Sequence, residues 1–126
     1  MLKTQESMEN YLETIYVLNK KTGFVRSVDV ATELGFSKPS ISNAMKKLRA
    51  EGYVEIEDKG RIVLTKAGEE IASRTYERHC VISALLMNIG VSEAVALEDA
   101  CRIEHFISQE TFECMKRHYL EEHSDK

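Results

Sequence analysis

A thiol, a carboxylate and an imidazole fall at i, i+3 and i+4 in the stretch DACRIEHFIS, as Cys101, Glu104 and His105. On one helix these spacings bring the three side chains to a single face. Thiolate, carboxylate and imidazole are donors that a borderline divalent metal accepts together. Glu98, three residues before Cys101 and seven before His105, lies along the same face and joins the set. Three donors are incomplete for most transition metals, so others must come from other helices. His79, which ends the polar half of its segment just before an apolar run, is one candidate, and Glu13 with Asn10, an i, i+3 pair near the start, is another. The competing reading is a partly buried helix whose polar side chains are satisfied one by one.

A catalytic reading of the same stretch makes Cys101 the nucleophile and His105 its base. No Gly-rich oxyanion loop and no positioned third group accompany them, so an enzyme is not expected. Cys80 and Cys114 are expected to pack. With three cysteines and no CxxC pair, neither a disulfide framework nor a zinc knuckle is indicated.

The elements that must position these donors are legible from periodicity and caps. Met8, Tyr11, Leu12, Ile15 and Leu18 stand at helical spacing and predict a helix from about Thr4 to Lys21. Ser27 is expected to cap a short helix, VDVATELG, with Val28, Val30, Ala31 and Leu34 inward. Ser37 is expected to cap KPSISNAMKKLRAEG, in which Pro39 is tolerated in the first turn and Ile41, Ala44, Met45 and Leu48 form the buried stripe. In YVEIEDKGRIVLT, alternation of Val54 and Ile56 with Glu55 and Glu57, then Asp58-Lys59-Gly60, predicts a β-hairpin. Thr65 opens the next helix, apolar from Val81 to Ile89 and expected to be buried on more than one side. Ser92 and Ser108 open two more.

Two short helices followed at once by a basic-tipped hairpin have the order of a winged helix-turn-helix. The formal net charge of -4 speaks against a nucleic-acid partner, but it hides an asymmetry. Residues 38–66 carry seven Lys/Arg against four acids, whereas residues 67–126 carry six against twelve. Ser37, Ser40 and Asn43 are short hydrogen-bonding groups on the N-terminal half of the second helix, where base edges are read, and Pro39 suits a thymine methyl. Lys38, Lys46, Lys47, Lys59 and Arg61 suit phosphates. The alternative is a solvated basic face with no partner. No apolar run approaches the roughly 20 residues of a membrane span and the polar N-terminus lacks a secretion signal, so a cytoplasmic protein without a membrane partner is expected.

NYLETIY, FSKPSISNAMKKLRAEGYV, LTKAGEEIA, ERH and ACRIEHFIS together resemble, in order and spacing over nearly the whole chain, the iron- and manganese-dependent repressors of the diphtheria toxin repressor and manganese transport regulator type. The resemblance implies a mainly α fold in a short, two-domain form without the SH3-like third domain. Residues 1–70 would be a winged helix-turn-helix with a small β-hairpin wing, and residues 71–126 an all-helical metal-binding and dimerisation domain. It implies a homodimer that binds a palindromic operator when loaded with a divalent transition metal, repressing metal-ion homeostasis genes. The alternative is a winged-helix regulator whose DNA binding does not depend on metal. Asn10, Glu13, His79, Cys101, Glu104 and His105 fall on the family's ligand positions.

The departures carry information too. Asn10 stands where manganese-type members have an aspartate and iron-type members a methionine. Ser83 stands where the family commonly has a glutamate, and Leu97 where iron-type members have a histidine, which leaves open whether one ion binds or two. Cys101 replaces the carboxylate of manganese-type proteins, and a thiolate is the softer donor. Fe²⁺ is therefore expected first and Mn²⁺ next, with Zn²⁺, Co²⁺ and Ni²⁺ also able to bind.

Overall fold

The computed structural model describes residues 4–124. They form α1 (Thr4–Thr22), α2 (Ser27–Leu34), α3 (Lys38–Ala50), β1 (Val54–Ile56), β2 (Ile62–Leu64), α4 (Lys66–Asn88), α5 (Glu93–Ile103) and α6 (Gln109–Ser124). The chain separates into two compact units that divide within α4, between Ser73 and Arg74. No helix among the described residues is long and apolar enough to cross a membrane.

In the N-terminal unit, Leu12 and Ile15 of α1, Val30 of α2, Ile41 and Met45 of α3, and Val54 and Ile62 of the hairpin share one buried core. α3 begins as its sequence requires. The Ser37 hydroxyl accepts the Ser40 amide at 3.3 Å, and Pro39 occupies the first turn, where no intrahelical donor is lost. α2 differs from expectation, because its cap is Arg26 and Ser27 is already helical. The Asp29 carboxylate reaches back to accept the Arg26 amide at 2.8 Å, so a carboxylate in the first turn replaces the hydroxyl. Val28 is 38% exposed, since it stands about 200° around the helix from buried Val30.

The hairpin is antiparallel, with Val54 opposite Leu64 and Ile56 opposite Ile62. A single 3₁₀ turn, Asp58–Gly60, closes it, and Lys59 takes a left-handed φ of 66°. The Ile62 amide donates to the Val25 carbonyl at 2.7 Å, which fastens the wing to the link between α1 and α2. At the exit, the Thr65 amide donates to the Tyr53 carbonyl at 3.0 Å, and the Thr65 hydroxyl accepts the Gly68 amide at 3.1 Å, capping α4. Gly68 is obligatory here, because a Cβ would lie 2.1 Å from the Tyr53 carbonyl oxygen.

The C-terminal unit packs α5 and α6 with the second half of α4, through buried Ile82, Ala96, Ala100 and Phe112. Lys116 meets Glu77 at 2.5 Å, and the hydrogen bond and charge of that carboxylate hold the ammonium above its ordinary 10.5. The apolar run is buried or half-buried from Val81 to Leu86, on more than one side as expected, but not at its end. Met87 and, just past α4, Ile89 are 39% and 76% exposed, and Val95, Leu97, Phe106 and Leu120 are exposed as well. Cys80 and Cys114 are exposed rather than packed. Each lies two residues, about 200°, from a buried neighbour, Ile82 and Phe112 respectively.

Candidate metal centre and nucleic-acid interface

The helix expected to carry the whole opening cluster stops before its last two members. α5 ends at Ile103 and Glu104 is its C-cap. The Glu104 amide still reaches the Ala100 carbonyl at 2.9 Å, but the His105 and Phe106 amides turn to Arg102 and Ile103, a tightening to i→i−3 bonds that frays the last turn. Cys101 is thus on the helix, and Glu104 and His105 lead out of it.

Glu104, just before the tightened bonds, faces inward. Its side chain is fully buried, and its two oxygens face two imidazoles: Oε1 lies 3.0 Å from His79 Nδ1, and Oε2 lies 3.5 Å from His105 Nε2. The His79 side chain is 23% exposed and that of His105 only 3%. A thiol joins the group, since one donor atom each from His79, Cys101 and Glu104 lie within 4.8 Å of one another. Burying a carboxylate costs several kcal/mol unless partners compensate it, and two imidazoles and a solvent-facing thiol are among the groups beside it. The donor set suits a divalent transition ion, with nitrogen, oxygen and sulfur from α4, α5 and the turn after it.

Glu98 is exposed, one turn before Cys101, and is not part of that group. Ser83 is buried and donates its hydroxyl to the Cys80 carbonyl at 3.2 Å, so the position where the family commonly has a glutamate serves the helix's own backbone. Leu97 is 40% exposed. On α1, Glu13 is buried and Asn10 half-buried, with the Asn10 carbonyl accepting the Thr14 hydroxyl at 2.8 Å.

In the N-terminal unit, Ser37, Lys38, Pro39, Ser40, Asn43, Lys46 and Lys47 are all exposed along α3, opposite its buried stripe. The Ser37 hydroxyl donates to Ser40 Oγ at 2.9 Å while accepting the Ser40 amide. Lys59 is exposed at the hairpin tip. Arg61 is committed in part to the fold: Nη2 donates to the Gly23 carbonyl at 3.1 Å, Nη1 lies 3.8 Å from Glu57, and the guanidinium sits 5.6 Å from the centre of Phe24. Phe24 also carries Arg26, at 6.0 Å.

Residues 3–62 match the family model described as the iron dependent repressor N-terminal DNA binding domain, and residues 65–123 match its metal binding and dimerisation domain. The transcriptional regulator MntR of Escherichia coli is 34% identical over 122 residues, which are 97% of this chain and 78% of that protein. An uncharacterized HTH-type transcriptional regulator of Methanocaldococcus jannaschii is 34% identical over 123 residues, 96% of this chain and 98% of that protein. The solved structure of the manganese regulator SloR matches with a TM-score of 0.77 at 30% identity, covering 87% of this chain and 52% of that one, so this chain spans about half of SloR's length. On these grounds the chain belongs to the iron-dependent repressor family.

Proposed function

We propose that this protein is a metal-dependent, DNA-binding transcriptional repressor of metal-ion homeostasis genes. The observation that carries the metal dependence is Glu104, a fully buried carboxylate between two imidazoles with a thiol in reach. His79, Cys101, Glu104 and His105 are the donors from the helical unit. The sequence adds Asn10 and Glu13 of α1, and Glu98 as an outer contributor. When bound, a divalent ion would supply positive charge to these donors, so its affinity for the folded arrangement is folding free energy. Residues 1–70 act as the DNA-binding domain and residues 71–126 as the metal-binding and dimerisation domain, in keeping with the two matched family models.

The exposed N-terminal half of α3 reads bases through Ser40, Asn43 and Pro39, with Ser37 presetting the helix end, while Lys38, Lys46, Lys47, Lys59 and Arg61 hold phosphates. The exposed Met87, Ile89 and Leu97 are the kind of surface a second copy covers. A two-fold dimer places two such helices on half-sites about 34 Å or a multiple apart, hence a palindromic operator. Metal raises DNA affinity by its differential affinity for the DNA-competent arrangement. Operator binding also places the protein in the cytoplasm. The family consists of repressors rather than enzymes, so Cys101 and His105 have no catalytic part.

For the ion, the thiolate of Cys101 supports Fe²⁺ over Mn²⁺. Mn²⁺ is the second reading, favoured by the relative named a manganese regulator. Equilibrium competition between the two ions under anaerobic conditions tests the order. Tighter Mn²⁺ binding, unaffected by Cys101→Asp, removes the iron reading.

A further inference from the structure

Arg78 immediately precedes His79 on α4, and none of the roles above uses it. Its Nη1 donates to the carbonyl oxygens of Glu104 at 3.1 Å and Ile107 at 3.0 Å, and its Nη2 donates to Gln109 Oε1 at 2.8 Å. The guanidinium lies 5.4 Å from the ring centre of buried Phe112. All three acceptors lie between Glu104, the C-cap of α5, and Gln109, the first residue of α6. Carbonyls at the end of a helix lack intrahelical partners, and a planar fork with several fixed donors is the side chain that gathers such groups into one geometry.

We propose that Arg78 is a positioning residue for the metal centre, a latch that sets the Glu104 backbone so that the Glu104 carboxylate meets His79. Glu104 is held twice from consecutive residues of α4, its carbonyl by Arg78 and its carboxylate by His79 at 3.0 Å. Moving the latch therefore moves an oxygen donor relative to a nitrogen donor. A merely structural turn has a cheaper solution in water. Here the Arg78 Nε is buried without a hydrogen-bond partner, a desolvation cost accepted to keep the fork in place. The latch also grips Ile107 and Gln109, so the start of α6 is tied to the same point as the donors. This inference rests on the metal reading of His79, Cys101 and Glu104.

The test is Co²⁺ titration of the full chain, following the d–d bands and the thiolate-to-cobalt charge-transfer band, with folding of the metal-free protein checked by circular dichroism. Arg78→Met is expected to weaken Co²⁺ binding about 10- to 100-fold, the range for lost supporting partners of metal ligands, and to change the d–d spectrum while the protein stays folded. Arg78→Lys is expected to recover part of the affinity, and Gln109→Leu to lose a smaller part. If Arg78→Met folds and keeps both affinity and spectrum, the latch is overturned. If it does not fold, Arg78→Lys and Gln109→Leu decide, and wild-type affinity and spectrum in both overturn it. Wild-type protein that takes up no Co²⁺ overturns the metal reading itself, and this inference with it.

Discussion

His79 Nδ1 and Glu104 Oε1 lie 3.0 Å apart, one from the middle of α4 and the other from the C-cap of α5, with the carboxylate wholly out of water. In a purely structural role that pair is a poor choice, since apolar side chains of similar size at buried ion-pair positions are often as stable or more so. As a site prepared for a cation, it places two donors at bonding separation before the ion arrives.

Glu104→Gln keeps the shape and removes the charge. Metal affinity is expected to fall at least about 100-fold, beyond what loss of a supporting partner costs, while the metal-free protein melts no lower than wild type because the amide relieves the cost of a buried charge. Calorimetric titration and thermal melts check both halves. A large fall in metal-free stability with metal binding retained would make the pair structural.

Lys59 at the wing tip occupies a left-handed conformation that costs an L-residue about 1 kcal/mol. Lys59→Gly is expected to return about 1 kcal/mol of that in urea unfolding. Its binding to duplex DNA should weaken at the same time, with the slope of log affinity against log salt shallower by about 0.9 for one lost phosphate contact. Greater stability with an unchanged slope would leave Lys59 off the DNA.

Gly68→Ala tests a close approach against helix propensity. Propensity alone favours alanine by about 1 kcal/mol, but the added Cβ meets the Tyr53 carbonyl, and backbone cannot swing aside as a side chain does. A net loss of about 2 kcal/mol in urea unfolding is expected. A gain would mean that the hairpin exit relaxes freely.

On α3, Asn43 and Lys47 should separate base reading from phosphate holding. With a duplex selected by the wild-type protein from a random pool, Asn43→Ala should lose about 1–3 kcal/mol of discrimination at one base pair per half-site, and Lys47→Ala should weaken all sequences alike. Competition binding against single-base variants measures both. Uniform loss in both variants would assign α3 to the backbone only.

The winged unit was legible almost residue by residue, because its signals are local. Ser37, Pro39 and the Ile41, Met45, Leu48 stripe are cap and periodicity, and Asp58-Lys59-Gly60 is turn chemistry. The α2 cap was misplaced by one residue, since Ser27 and Asp29 both offer an oxygen and only the backbone decides which is used. In the candidate metal centre, the side-chain types that converge were legible and their geometry was not. Spacing assigns Cys101, Glu104 and His105 to one helix, whereas the end of that helix at Ile103 and the meeting of Glu104 with His79 depend on contacts distant in sequence. Arg78 was invisible for the same reason, as its acceptors are backbone carbonyls 26 and 29 residues away. The exposure of Met87 and Ile89 was missed because apolarity in sequence does not say whether the same chain or another one covers it.

In the proposed function, metal governs DNA binding. The most direct measurement is a mobility shift of DNA from the gene's own upstream region, comparing chelator with added Fe²⁺ or Mn²⁺ at fixed ionic strength. A shift with either ion that chelator abolishes, and that Glu104→Gln no longer gives, is the predicted result. An equal shift with chelator and with metal would contradict it and leave a winged-helix regulator whose DNA binding ignores metal.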